Sequence, residues 1–240
     1  MSLYWFTNPP DSRVRRYHAE LDWKRNFVAE LKNRQVDVVL DVGANAGQFA
    51  TGLREANFKD RIVSFEPLSG PFSILERAVS RDPLWDCRQY ALGDYDGTAA
   101  MNVSGNAGGS SSILPMLEAH RDVIPQANYI GTEDVTICRL DSVAPDILGP
   151  NDVAFLKIDV QGFEKQVIAG GESTVSERCV GMQLELSFLP LYEGGMLIPE
   201  ALDLAYSLGF TLTGFVPFFV DIRTGRVLQA DGVFFRLDDG

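Results

Sequence analysis

Four acidic residues stand at or near the ends of apolar runs: Asp41, Glu66, Asp159 and Glu185. The first opens the turn Asp41-Val-Gly43-Ala-Asn45-Ala-Gly47. Glycines after a strand let the backbone bend tightly and approach a ligand. The helix that follows offers its N-terminal N–H groups to the same place. Glu66-Pro67 closes the next apolar run, 25 residues after Asp41. An acid at that place accepts hydrogen bonds from both hydroxyls of a ribose. A glycine turn plus a ribose-holding acid predicts a nucleoside ligand.

The turn also discriminates between nucleosides. A dinucleotide fingerprint, G-x-G-x-x-G, needs a glycine where Asn45 stands, so that a pyrophosphate can come close. Asp41 disfavours an anion and suits a cationic group. S-adenosylmethionine carries an ammonium and a sulfonium and no phosphate. Two other readings stay open: a nicotinamide-dependent oxidoreductase, and a non-catalytic binding relative of the same fold.

These residues need a scaffold. Residues 1–10 read as an arm, and 11–34 as a helix with Val14, Tyr17, Leu21, Val28 and Leu31 on one face. Strands are expected at Val36–Val42, Arg61–Phe65, Cys87–Leu92, Asp134–Leu140, Val153–Ile158, Val180–Leu186, Phe210–Phe215 and Val227–Leu237. Helices are expected at Gly47–Ala56, Gly70–Arg81, Phe163–Ala169 and Pro199–Leu208. Gly97–Val103 reads as a local hairpin, and Asn106–Ser112 as a loop. Alternating strands and helices predict an α/β fold: a mostly parallel sheet with helices on both faces. The last two strands follow each other without a helix, so one is antiparallel. The expected organisation is an arm and helix over 1–35 and a single domain over 36–240.

Composition narrows the class. The net charge is −12, from 21 basic and 33 acidic residues among 240. Nucleic-acid binding rests on cations meeting phosphates, so a nucleic-acid partner is disfavoured. The one dense basic run, Arg13-Val-Arg15-Arg16, reads as a solvated helix face. Three scattered cysteines without C-x-x-C spacing argue against disulfides and zinc and fit a reducing, cytoplasmic setting. No run of about 18 apolar residues exists, so no transmembrane segment is expected.

The order DVGANAGQF (41–49), FEP (65–67), ALGDYDG (91–97), Ser110-Ser111-Ser112, RLDS (139–142) and LKIDVQGFE (156–164) resembles the FkbM-type methyltransferases. The resemblance spans roughly 36–236. Gln161 stands where that family usually has an acid. The resemblance implies a Rossmann-like class I methyltransferase fold, a seven-stranded sheet in the order 3-2-1-4-5-7-6. It further implies S-adenosylmethionine as donor and a hydroxyl acceptor on a sugar, glycolipid, polysaccharide or natural product.

In that arrangement Asp41, Gly43, Asn45 and Gly47 contact the methionine half, with Gln48 and Phe49 beside them. Glu66 holds the ribose, and Pro67 and Leu68 flank the adenine. Ala91, Leu92 and Asp94 lie at the adenine edge, and Ser112 sits in a loop over the ligand. Asp159 lies beside the transferred methyl. Asp159 and Glu185 share a divalent cation such as Mg, or one of them is the general base. Lys157, a costly lysine in an apolar strand, pairs with one of them or faces the substrate. His120 is the other base candidate, ahead of His18. Glu164 favours its helix dipole. Tyr192 is a candidate to stack on a sugar ring. Phe215, Phe218 and Phe219 belong to the core or to a homodimer contact.

Overall fold

The computed structural model describes residues 12–237, with side chains from residue 22 onward. The expected arm, His18 and the side chains of Arg13 to Leu21 lie outside the described residues. A long helix, α1 (Ser12–Asn33), precedes the first strand. The chain then runs β1 (Val38–Val42), α2 (Gln48–Glu55), β2 (Arg61–Phe65), α3 (Ser69–Val79) and β3 (Trp85–Arg88). Three strands follow that lie apart from these: β4 (Ala91–Gly93), β5 (Gly97–Ser104) and β6 (Tyr129–Arg139). A single turn of helix, α4 (Glu118–Arg121), lies between β5 and β6. The chain closes with α5 (Leu140–Ile147), β7 (Ala154–Ile158), α6 (Glu164–Gly170), α7 (Glu172–Arg178), β8 (Cys179–Ser187), α8 (Ile198–Ser207), β9 (Thr211–Asp221) and β10 (Arg226–Phe235).

The main sheet has seven strands in the order β3-β2-β1-β7-β8-β10-β9. Only β10 runs against its neighbours, β8 and β9. This is the Rossmann-like class I methyltransferase topology.

Every residue of β1 and β7 is buried, because helices cover both faces. Side chains alternate between the faces. Leu40, Val42, Leu156, Ile158 and Leu184 pack with the helices α5 to α8. Val39, Phe155, Val233 and Phe235 pack with Phe27, Val28 and Leu31 of α1. The alternation puts Asp41, Lys157 and Gln183 on the α1 face, in one register row toward the carboxyl ends of the strands. A polar row at that level is affordable only because the residues pair with one another.

Several expected elements differ. The expected strand Cys87–Leu92 is two strands in two sheets, β3 and β4, separated at Gln89-Tyr90. Gly97–Val103 forms no local hairpin. It pairs antiparallel with β6, some thirty residues on, while β4 pairs parallel with β6. Alternation in a half-exposed ribbon looks the same whichever strand is the partner, which is why the spacing misled. The helices α5 and α7 carry no isolated signature: α5 contains Pro145, and α7 follows α6 across Gly171.

Candidate active site

The glycine turn lies at the carboxyl end of β1, pressed against the end of β7. A Cβ on Gly43 would stand 1.8 Å from the Asp159 carbonyl oxygen, and its φ is +75°. Only glycine meets both conditions. The turn uses all of its own N–H groups. Gly43 and Ala44 donate to the Phe65 carbonyl at 3.0 Å each, and Gly47 donates to Ala44 at 2.8 Å. Ala46 donates to Asn45 Oδ1 at 2.8 Å, and the Asn45 N–H donates to Glu66 Oε2 at 2.9 Å. From Gly43 to Gly47 no N–H remains for a phosphate. That agrees with the absence of the second fingerprint glycine.

Glu66 ties the ends of β1 and β2 together. Its second oxygen, Oε1, accepts the Leu68 N–H at 2.9 Å. Burial pushes its carboxyl up to about 7, against the pull of these two hydrogen bonds. The carboxyl borders a cleft with apolar walls and a few convergent polar groups. Phe65, Glu66, Pro67 and Leu68 form one wall, and Ala91, Leu92 and Met101 of the small sheet form another. Gly108, Ser111 and Ile113 come from the serine loop, and Asp159, Gln161 and Phe163 from the segment after β7.

Of the expected cofactor residues, Gly43, Asn45, Glu66, Pro67, Leu68, Ala91 and Leu92 line this cleft. Gln48 and Phe49 line an adjoining polar pocket. The other four lie elsewhere. Asp41 is buried beneath the turn, and Gly47 faces Trp85 and Leu75. Asp94 is exposed and lines neither cavity; the nearby turn is tied by Asp96, which accepts from Arg139 N and Ser142 Oγ. Ser112 is wholly buried and donates to the Gln161 carbonyl at 2.7 Å. Tyr90, Met101, Ile113 and Phe163 also line the cleft and were not expected from the sequence. Apolar residues next to the motifs carry no chemical label to single them out.

Lys157 is 4% exposed and spends its ammonium inside the fold. It reaches Asp41 Oδ1 at 3.1 Å, Asp159 Oδ2 at 3.6 Å and the Gly43 carbonyl at 3.0 Å. Burial works against its charge, yet Asp41 and Asp159 outweigh burial and hold its pKa above that of an ordinary lysine. It braces the turn and donates to no ligand-facing group of Glu185, the other expected partner.

Asp159 and Glu185 do converge, but an amide stands between them. Gln161 Nε2 donates to Asp159 Oδ1 at 2.7 Å and to the two Glu185 oxygens at 3.1 and 3.0 Å. The Tyr192 hydroxyl donates to Gln161 Oε1 at 2.7 Å, which fixes the amide's orientation. Gln161 holds φ +56°, a left-handed conformation costing a non-glycine residue about 1 kcal/mol. Burial, then Asp159, pushes the Glu185 carboxyl well up. The donor set therefore does not fit the expected Mg ion: the Gln161 amide fills the bridging position between the two carboxyl groups. Among the described residues no three His, Cys, Asp or Glu side chains converge as a metal site.

His120 is also displaced from its expected role. It is 2% exposed, lines neither cavity and packs on the rings of Tyr192 and Phe219. Its Nε2 lies 3.1 Å from Ser110 Oγ, so it anchors the serine loop. Burial pushes its pKa down to about 4, which makes it a weak base. Tyr192 is 2% exposed and offers no face to a sugar. Glu164 accepts the N–H groups of Val160 and Gly162 and so holds the bend after β7. Phe219 is in the core, whereas Phe215 and Phe218 are exposed.

Comparison with known proteins gives a family match and more distant structural likenesses. Residues 41–212 match the family model of the methyltransferase FkbM domain. The chain is 27% identical over 198 residues to 2-O-methyltransferase NoeI of Sinorhizobium fredii (strain NBRC 101917 / NGR234), covering 80% of this chain and 79% of that protein. Among solved structures it is similar to magnesium protoporphyrin IX methyltransferase (ChlM) from Synechocystis PCC 6803 with bound SAM. That likeness has a TM-score of 0.49 and 9% identity, over 90% of this chain and 79% of the other. An rRNA methylase from Streptococcus thermophilus gives 0.45 and 11%, over 90% and 95%. The match to the family model extends over most of the sheet and includes the turn, Glu66, Asp159 and Glu185, and the chain belongs to the FkbM methyltransferase family.

Proposed function

We propose that the chain transfers a methyl group from S-adenosylmethionine to a hydroxyl oxygen of a sugar, glycolipid, polysaccharide or natural-product acceptor. One observation carries the reading. The carboxyl of Glu66 borders a cleft that reaches Asp159, beside a turn with no spare N–H for phosphate.

When bound, S-adenosylmethionine supplies a methyl group already activated by its positive sulfur. The residues of the chain bind and orient. Glu66 takes the ribose hydroxyls. Leu92, Met101 and Phe163 give the base an apolar bed. Asn45 and Gln48 serve the polar tail, and Asp159 stands where the two cavities meet. The chain must then bring an acceptor oxygen to about 3 Å from the methyl carbon and keep it in line. The relative NoeI is named a 2-O-methyltransferase, and the same reaction class is proposed here. A net charge of −12 favours a small acceptor over a nucleic acid.

Incubation with S-adenosylmethionine and a panel of hydroxylated acceptors, read by mass spectrometry, tests this. The expected product is a methyl ether. Methylation confined to nitrogen or carbon, across a panel that offers all three, would refute oxygen transfer.

A further inference from the structure

Past Asp159 a second, polar cavity adjoins the cleft. The two share Gly43, Asn45, Gly109 and Asp159, so they lie side by side. The first lies toward β2. The second runs the other way, across β7 and β8 to β10, where Lys157, Gln183 and Asp231 line it. The sheet register sets these side chains on one face: Gln183 stands beside Lys157, and Asp231 is paired with Glu185. Neighbouring strands lie about 4.8 Å apart, so Asp231 stands two strands, roughly 10 Å, beyond the Asp159 column.

We propose that the β8–β10 end of this cavity, away from the glycine turn that serves the cofactor's tail, is the acceptor subsite and that it holds two neighbouring hydroxyls of a neutral polyol. One hydroxyl lies on Asp231, which takes its proton, and the other donates to the carbonyl oxygen of Gln183. The inference rests on the methyl-transfer reading and names the substrate class and base for that site.

Gln183 supplies the first argument. It is 5% exposed and lines the cavity together with Asp231. Its carbonyl oxygen, Oε1, has no partner. Buried acceptors are almost always satisfied, and an orphan facing a cavity points to a donor brought by a ligand. The second argument is the balance of the lining. Asp159, Asp231 and Gln183 Oε1 are acceptors, while the ammonium of Lys157 is already engaged by Asp41 and Asp159. Such a wall rejects an anion and welcomes several O–H donors close together.

Asp231 has the properties of a base. The groups facing it are Lys157 from β7, Asp159 just after that strand, and Gln183 and Glu185 from β8. Burial, then the charge of Asp159, pushes its carboxyl up to about 7, with Lys157 and the Gln183 amide pulling the other way. A base poised near neutrality is the effective one for a hydroxyl. In the step, the acceptor O–H bond breaks and the proton moves to an Asp231 carboxylate oxygen. The electron pair stays on the acceptor oxygen and forms the new bond to the methyl carbon, as the methyl–sulfur bond breaks, its pair goes to the sulfur and neutral S-adenosylhomocysteine leaves. Asp231 is only half-buried and returns the proton to solvent.

The test uses the full chain saturated with S-adenosylhomocysteine. Methyl α-D-mannopyranoside, methyl α-D-galactopyranoside and their monodeoxy counterparts are titrated by saturation-transfer NMR. At least one parent glycoside should bind, and removing one hydroxyl should weaken it by about tenfold or more. Gln183→Leu should weaken the same glycoside by about tenfold and leave S-adenosylhomocysteine affinity unchanged. Asp231→Asn should retain glycoside binding, slow methyl transfer by about a hundredfold or more, and abolish the inflection near pH 7 in the rate measured at saturating S-adenosylmethionine. Binding of neither glycoside would overturn the proposal, as would full binding by Gln183→Leu. A parallel loss of S-adenosylhomocysteine would assign the cavity to the donor instead. Failure of the unmodified chain to bind S-adenosylhomocysteine is a separate result, and defeats the cofactor reading itself.

Discussion

The backbone N–H of Asn45 donates to Glu66 Oε2 at 2.9 Å, so the acid that ends β2 also sets the shape of the turn that follows β1. One side chain thus shapes the turn and faces the ligand. Glu66→Gln replaces one accepting oxygen with a donor. We expect S-adenosylhomocysteine affinity to fall by roughly tenfold to a hundredfold, the value of a hydrogen bond to a charged group. Isothermal calorimetry measures this directly. The pH dependence has a definite sign. Burial raises the Glu66 carboxyl to about 7, and the anion is the better acceptor. Affinity should therefore rise between pH 6 and pH 8 in the wild type, with this component of the rise absent in Glu66→Gln.

Gly43→Ala should destabilise the chain by more than about 3 kcal/mol, because its Cβ would overlap the Asp159 carbonyl. For a chain of this size that is a Tm drop of roughly 6–12 °C. Gly70 is the control. A Cβ there meets nothing within 4 Å, and the residue lies in α3. Gly70→Ala should leave the Tm unchanged or raise it. Thermal melts followed by circular dichroism compare the two.

The glycine turn and the place of Glu66 at a strand end were legible because each depends on local signals, whereas the order of the main sheet came with the family resemblance. A β-branched run, a glycine turn and an acid at the next strand end report themselves within a few residues. The metal pairing of Asp159 and Glu185 was half legible: the two converge, but Gln161 decides what lies between them. A loop residue's aim depends on a left-handed φ and on Tyr192, thirty-one residues away. His120 misled for a similar reason, since a histidine's type does not reveal its burial. Asp231 lies in β10 and reaches the site only through antiparallel pairing with β8. No short motif announces that.

Glu164 gives a stability test. Its buried carboxyl is raised from 4.5 to about 7, chiefly by desolvation, while accepting the N–H groups of Val160 and Gly162. Folding therefore favours the protonated acid. That stabilisation is complete below the unfolded pKa and is lost as pH rises through about 7. Glu164→Gln keeps an accepting oxygen and cannot ionise. Relative to wild type it should gain about 3 kcal/mol on going from pH 4 to pH 8. Urea unfolding at both pH values measures the difference; an unchanged difference contradicts the assignment.

Gln161 separates amide bridging from metal bridging. Excess EDTA should leave both S-adenosylhomocysteine binding and methyl transfer unchanged. Gln161→Ala removes the donor between two carboxyl groups and should destabilise the chain more at pH 8 than at pH 5. Loss of activity in EDTA, restored by added Mg, would return the cation to Asp159 and Glu185.

The most direct measurement is calorimetric titration of the purified chain with S-adenosylhomocysteine, with NADH as the comparison. The expected result is one site per chain with micromolar affinity for S-adenosylhomocysteine and no heat from NADH. Silence with S-adenosylhomocysteine at high micromolar concentration, or saturable binding of NADH, would contradict a cleft built for a nucleoside that carries no phosphate.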